Sequence, residues 1–249
     1  MKNLLIFSTL IATLMPHPAH AEEQQSDNLF SANAAFSSDY RYRGISQTRR
    51  QAALSGGADY AHLPTGIYAG VWASTITWTK DAGGDGSVEI DLYAGKRGKM
   101  SDSLAYDVGA LRYAYPSNGL QNVAGLANAN TTELYAQLGY GPAYIKYAHA
   151  VTNVFGFIDS KGSGYLDLGA NVDLDKATIL NLHLGHQSIR HTAAASYTDW
   201  KVGITRDLGF ASATLAVVGT DASQSAYRSP KNGKFLGNNS VLLSMSKNF

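Results

Sequence analysis

The chain of 249 residues contains no cysteine, which removes disulfide scaffolds, thiolate zinc sites, iron–sulfur clusters and cysteine nucleophiles from consideration. Charge is scarce as well. Asp, Glu, Lys and Arg together make 16% of the residues, against roughly 25% in an ordinary soluble domain. The 20 bases and 19 acids nearly cancel, so there is no positive excess from which to build a nucleic-acid-binding face. Proline is rare, with 6 residues. Long apolar runs are missing too. Beyond Ala21 the richest stretch, Phe210 to Val218, is interrupted by Ser212 and Thr214, well short of the roughly 20 residues a spanning helix needs. What is abundant is glycine (25) and tyrosine (15), in a chain whose apolar fraction of 45% is too high for disorder.

The first residues read as an address. Met1-Lys2-Asn3 is a short positive start, Leu4 to Met15 is mostly apolar, Pro16-His17-Pro18 breaks the run, and Ala19-His20-Ala21 offers a small-x-small cleavage site. This order predicts a secretory signal peptide over 1–21, cleaved on export to leave Glu22 first. Its loss removes Lys2 and no acid, so the mature chain carries 19 bases and 19 acids. Residues 22–29 are expected to form a short periplasmic segment ahead of one domain over 30–249.

That domain alternates. From Phe30 the even positions read Phe30, Ala32, Ala34, Phe36, Ser38, Tyr40 and Tyr42, while the odd ones read Ser31, Asn33, Ala35, Ser37, Asp39, Arg41 and Arg43. The same two-faced pattern recurs around Val88–Gly95, Glu133–Leu138, Leu166–Val172, Leu180–Gly185 and Asp199–Thr205. Strands of this length, apolar on one face and polar on the other, are what a membrane barrel needs: the apolar face meets lipid and the polar face a lumen. The pattern predicts twelve strands, at 30–43, 51–61, 67–75, 88–96, 104–115, 132–140, 143–151, 164–172, 177–186, 197–207, 210–220 and 239–249. Connections of 2 to 7 residues alternate with longer ones of 7 to 18, as in barrels with tight periplasmic turns and long extracellular loops. The fold class expected is therefore all-β: a transmembrane antiparallel up-and-down β-barrel of about 12 strands in the bacterial outer membrane. An even strand number puts both ends on the periplasmic side and lets the last strand close on the first, leaving no edge in hydrocarbon. Ser240 to Phe249 puts Val241, Leu243, Met245 and Phe249 on one face, with Lys247 the single departure. Phe249, as the terminal residue, is the expected mark for barrel-assembly machinery. Tyr40, Tyr42, Tyr60, Trp72, Tyr106, Tyr140, Trp200 and Phe249 lie near strand ends, where interfacial girdles sit.

Several segments carry a resemblance. SDYRYRGISQT at 38–48, GIYAGVWAS at 66–74, EIDLYAG at 89–95, YDVGALRYAYP at 106–116, YTDWKVGITRDLG at 197–209 and the ending SKNF stand in the order seen in one family. The chain resembles the TorF-like porin family of proteobacterial outer-membrane proteins over about residues 29–249. The resemblance implies an outer-membrane barrel and a porin role, a role itself inferred from the barrel. It implies no catalytic residues.

The lumen-side residues expected are Asp39, Arg41, Arg43, Asp59, Glu89, Asp91, Glu133, Lys146, Asp167, Asp199 and Lys201. Arg41 and Arg43, read as the end of the first strand, would face a row of carboxylates across the lumen. Such an arrangement serves either as a charged constriction that sorts small polar solutes or as a ladder of ion pairs that fills the barrel. The leading expectation is a narrow passive diffusion channel for small hydrophilic solutes. A non-conducting structural or surface-binding barrel is the first alternative, and an outer-membrane hydrolase drawing on Ser74, Ser163 or Ser196 with His149, His183 or His191 is the second. No G-x-S-x-G, H-E-x-x-H or P-loop is present, and no cofactor is expected. Arg49, Arg50, Arg228, Lys231 and Lys234 offer positive charge in the long loops to lipopolysaccharide phosphates. Asp81 to Ser87 reads as a Gly- and Asp-rich outer loop rather than an EF-hand, because it lacks the closing Glu.

Overall fold

The computed structural model describes residues 26–249; the expected signal peptide and the residues just after it lie outside the described part. Fourteen strands are present: β1 (Asn28–Ser37), β2 (Arg41–Tyr42), β3 (Ile45–Ser46), β4 (Ala53–His62), β5 (Ile67–Thr75), β6 (Val88–Lys99), β7 (Leu104–Ala114), β8 (Thr131–Tyr140), β9 (Ala143–Ala150), β10 (Gly164–Asp173), β11 (Thr178–Ser188), β12 (Tyr197–Asp207), β13 (Ser212–Thr220) and β14 (Ser240–Asn248). All but β2 and β3 form one closed wall of twelve antiparallel strands, each paired with its neighbours in the chain. β1 pairs directly with β4 on one side and with β14 on the other. At the seam Phe249 and Ala32 exchange both backbone hydrogen bonds, at 2.9 and 3.3 Å. With every strand paired on both sides, no backbone edge is left for hydrocarbon to solvate.

The alternation sorts residues as the sequence predicts. Leu54, Leu92, Leu134, Leu184, Val202, Leu215, Val241 and Leu243 are all exposed on the outside of the wall. A water-soluble protein rarely shows contiguous apolar patches beyond a few hundred Å². An apolar belt carried by strand after strand all the way round is a surface for a bilayer. Among the described residues no helix is long and apolar enough to cross a membrane. Lys247 stays on the outer face, at the turn end of β14, with its ammonium 5.4 Å from the Phe249 ring; its long stem follows the apolar surface while the charge reaches the interface.

Turns and loops alternate around the barrel. Short turns at 63–66, 100–103, 141–142, 174–177 and 208–211 close one end, and long loops at 38–52, 76–87, 115–130, 151–163, 189–196 and 221–239 crown the other. Gly66 shows why one turn needs glycine: its φ is +72°, and a Cβ there would lie 2.0 Å from the Arg97 carbonyl oxygen. In the turn after β10 the Ala177 amide donates to Asp175 and holds that carboxyl below its usual range.

The hydrophobic cores lie under the crown, not along the barrel axis. One joins Ile76, Tyr113, Tyr115, Leu120 and Ala129, a second Ile45, Tyr197, Ala222 and Leu236, and a third Ala150, Val154, Ile189 and Ala195. The long loops are thus packed against one another. Asp81, buried at the end of the helical turn α1 (Trp78–Asp81), ties three of them together by pairing with Arg49 and accepting from Ser229 at 3.3 Å. The segment read as a loose Gly- and Asp-rich loop therefore begins with a fixed strut.

Inside the barrel, tyrosines lie over glycines on the facing strand. Tyr93 faces Gly70, Tyr68 faces Gly95, Tyr135 faces Gly109 and Tyr144 faces Gly169. A Cβ at Gly169 or Gly70 would sit 2.4 Å from the opposing ring, so the missing side chain is what admits the aromatic. This is how a twelve-stranded interior is filled. The expected girdle is corrected accordingly: Tyr60, Tyr106, Tyr140, Trp200 and Phe249 take the outer face, but Trp72 points inward and is buried, with Tyr40 against it at 5.5 Å.

Candidate functional site

The expected strand 30–43 ends early. Ser38 makes the last contact with the wall, its amide donating to the Leu243 carbonyl (2.8 Å) and its hydroxyl accepting from the Leu243 amide (3.0 Å). The chain then turns into the barrel. Asp39 gathers Arg41 Nε (2.6 Å), the Ser46 hydroxyl and the Thr48 hydroxyl (3.2 Å), and so folds 39–48 back on itself. β2 and β3 pair as a miniature hairpin whose two-residue turn is Arg43-Gly44, with φ of 46° and 77°. Two successive positive φ values are what a tight hairpin turn needs, and at Arg43 they put a large side chain in the left-handed region.

This hairpin is a plug. Its tip rests on the upper ends of β12 and β13, since a Cβ at Gly44 would lie 2.4 Å from Thr220 and 2.8 Å from Asp199. The Arg43 guanidinium spans the remaining lumen. It donates twice to Glu133 on β8 (2.6 and 3.1 Å) and once to Gln187 on β11 (2.5 Å), and lies 4.0 Å from the Tyr165 ring centre on β10. Tyr42 donates to Tyr113 (2.6 Å), and these two rings meet Phe155 edge-on. Tyr40 donates to Glu89 (2.9 Å).

Asp39 and Arg41 therefore do not stand on the wall facing a carboxylate row. Arg41 is held by Asp39 and by the carbonyls of Gly44, Leu236 and Asn238, so the pair fastens the plug to the last long loop. Arg41 and Arg43 point apart. Only Arg43 meets the wall acids, and it does so from a loop, buried at 6% exposure against Glu133 at 2%.

The other predicted residues do lie on the lumen face. Glu89, Asp167 and Asp199 are buried there, and Asp59, Asp91, Lys146 and Lys201 are half-buried. Tyr93 donates to Asp59 (2.6 Å), and Lys146 sits 4.2 Å from the Tyr135 ring centre. His183 lies between Asp167 (2.9 Å) and Asp199 (2.7 Å), one ring nitrogen on each. Each ring nitrogen thus faces a carboxylate oxygen, and the Tyr165 hydroxyl lies 3.1 Å from Nε2. Tyr165 and Tyr144 add hydrogen bonds to Asp199 (2.9 Å) and Asp167 (3.1 Å). Residues that the sequence reading passed over include Asp107, which accepts from Tyr68 (2.6 Å), and Gln187, Arg97, Tyr113 and Tyr165. Each wall residue among them shares the odd-numbered parity of the acids, which is the signal that could have found it.

Two loop expectations change as well. Arg49 is engaged by Asp81 and is not free for an outside anion. The serines proposed for hydrolysis are engaged with backbone: Ser74 donates to the Leu54 and Thr75 carbonyls, Ser163 donates to the Ser160 carbonyl, and Ser196 accepts from the Ile189 amide.

A family model of bacterial proteins of unknown function, Gcw_chp, matches residues 21–249. The chain belongs to the Gcw_chp family. No curated protein matches it. Among solved structures, this Gcw_chp protein is similar to the KdgM porin in complex with disordered oligogalacturonate, with a TM-score of 0.54 and 6% identity over 88% of this chain and 98% of that one. It is also similar to the NanC porin, with a TM-score of 0.53 and 9% identity over 89% of this chain and 99% of that one. At such identities the likeness is one of fold: a closed twelve-stranded porin barrel.

Proposed function

We propose that this protein is an outer-membrane channel of porin type, a narrow passive conduit for small hydrophilic solutes that is held closed by the 39–48 hairpin. The observation that carries the reading is the way the lumen is blocked. The blocking element is a loop: Arg43 at its tip is fastened across the lumen by an ion pair, hydrogen bonds and a stacked guanidinium, while Tyr40, Tyr42 and Ile45 pack into the apolar clusters under the crown. Below it the wall is polar, with the half-buried Asp59, Lys146, Asn181 and Thr205 lining it. Polar contacts with water-soluble components on both sides can be exchanged for hydration when the loop withdraws.

In this reading residues 1–21 direct export and are cleaved, the long loops face outward, and the termini lie in the periplasm. The resemblance of its sequence motifs to the TorF-like porin family and the barrel fold it has in common with the KdgM and NanC porins both support it. Solute preference follows from charge. Asp59, Glu89, Asp91, Asp107, Glu133, Asp167 and Asp199 outnumber Arg43, Arg97, Lys146 and Lys201 on the lumen side. Where the KdgM porin is in complex with an oligogalacturonate, a polycarboxylate, this lumen favours cationic and neutral solutes.

The test is conductance in planar bilayers. Purified wild-type protein is expected to give rare, small, cation-preferring steps, and hairpin-released variants frequent ones. The burial of Tyr113, Trp72 and Glu133 in the outer half of the lumen favours a second reading, a permanently filled barrel whose loops do the work. Silence from every released variant would select it.

A further inference from the structure

A cleft of about 640 Å³ opens on the outside of the barrel between the loops 151–163 and 189–196. Lys161, Arg190, His149 and His191 line it, and all four are exposed. None is consumed by an acid. Arg190 reaches the Lys161 carbonyl at 3.5 Å with one nitrogen, and His191 donates from Nδ1 to the Asp159 carbonyl (2.9 Å), which leaves its Nε2 free. Asp159 supplies the single carboxylate of the lining, with no salt-bridge partner among the described residues. The cleft thus brings together two cations and two imidazoles against one carboxylate, standing away from the lumen network.

The wall beneath gives the cleft a direction. On the outer face, the row holding His149 and Gly164 is followed toward the turn end by Tyr147, Leu166 and His186, and then by Ile145, Leu168 and Leu184. Tyr147, Leu166, Ile145, Leu168 and Leu184 are all exposed. Within three register steps the surface passes from cations through an aromatic and histidine row to aliphatic side chains. That sequence matches a ligand whose phosphate stands above its acyl chains. The volume is more than a bare phosphate fills and leaves room for the sugar or glycerol that bears it.

We propose that this cleft binds the phosphate of an anionic phospholipid or glycolipid in the surrounding leaflet, with Lys161 and Arg190 as the principal donors and the exposed strip of β9–β11 seating the acyl chains. Guanidinium and ammonium groups are the usual partners of phosphate, Arg through its planar fork and Lys as a point charge. The site rests on the membrane placement under Proposed function, which sets the long loops in the outward leaflet, but not on conduction. It commits to a lipid-borne phosphate, since a free ion would use the cations and leave the strip below idle.

The experiment uses the full folded protein in detergent, its barrel checked by heat-modifiable gel migration. Binding of bis-phosphorylated lipid A is measured by native mass spectrometry and by displacement of a fluorescent lipid A. Lys161→Ala with Arg190→Ala is expected to weaken binding at least tenfold, while Lys99→Ala with Lys176→Ala at the turn end of the barrel leaves it unchanged. Lipid A stripped of its phosphates should bind at least tenfold more weakly than the intact lipid. Equal binding by the stripped lipid, equal binding by the cleft variant, or competition by inorganic phosphate at the lipid's own concentration range each overturns the proposal. Binding with no conductance would leave this site standing while removing the channel reading, and conductance with no cleft-dependent binding would do the reverse.

Discussion

Replacing Arg43 with alanine leaves Glu133 under the plug, 2% exposed and with its counter-charge gone. Withdrawal of the hairpin, which lets water reach the carboxylate, relieves that uncompensated burial. Removing one member of a buried ion pair costs about 3–5 kcal/mol, because the partner keeps its desolvation penalty and loses its attraction. Here the penalty falls on the closed state alone. With about 1.4 kcal/mol for each factor of ten, the closed-to-open ratio should fall by roughly one hundred to a few thousand. The readout is open probability in planar bilayers, expected to rise from rare events to sustained steps. Arg43→Lys keeps the charge but not the two-pronged contact, and should fall between wild type and alanine. Arg43→Ala combined with Glu133→Gln removes the orphaned charge and should close much of the gap, which a double-mutant cycle would register as coupling. Because the pair is buried, raising the salt should change the difference little. An Arg43→Ala protein that is folded yet shows wild-type open probability and step size would refute the idea that this arginine holds the hairpin shut.

Asp59 and Asp91, on β4 and β6, each keep one carboxylate oxygen without a hydrogen-bond partner among the described residues, so Asp59→Asn with Asp91→Asn should move the reversal potential toward anions; an unchanged potential would contradict a cation-attracting lumen. Gly169→Ala places a Cβ 2.4 Å from the Tyr144 ring and should destabilise the barrel by about 1–3 kcal/mol, read as a lower temperature for the heat-modifiable gel shift, with Tyr144→Ala restoring part of the loss. Deleting Phe249 removes the backbone exchange with Ala32 and the residue expected to mark the chain for assembly. If recognition is the larger role, folded protein should drop in cells while refolding in detergent survives, and an equal loss in both would assign the residue to closure instead.

The barrel was legible because its physics is local and repeated. Period-2 alternation over nine to twelve residues reports extended chain with one face in lipid, and the predicted strands 67–75 and 197–207 coincide with β5 and β12. Connection lengths then ordered the strands without any knowledge of pairing, since neighbours joined by short links pair antiparallel. Lumen acids such as Glu133 and Asp199 followed from parity alone. His183 shares that parity, but nothing in its neighbourhood along the chain announces the two carboxylates that flank it, since they lie on β10 and β12 and meet it only across the register.

Residues 38–43 show where alternation stops being sufficient. Ser38-Asp39-Tyr40-Arg41-Tyr42-Arg43 continues the pattern of β1, but the chain bends at Ser38 and Asp39 and only Arg41 and Tyr42 are in a strand, and periodicity does not say which partner such a segment finds. Two signals compete with continuation of the wall. Asp39 stands seven and nine residues before Ser46 and Thr48, whose hydroxyls it collects, and Arg43-Gly44 supplies the two positive φ values of a hairpin turn. The wall needed only the residues up to Ser38 to match β14 and β4, so the polar residues beyond it were free to satisfy each other. Charge then chose the contacts: the acids and carbonyls available to Arg41 and Arg43 were inside the barrel and beneath the last loop. A pair of arginines read as one face of a strand thus became two separate devices, Arg41 fastening the base of a plug and Arg43 its tip.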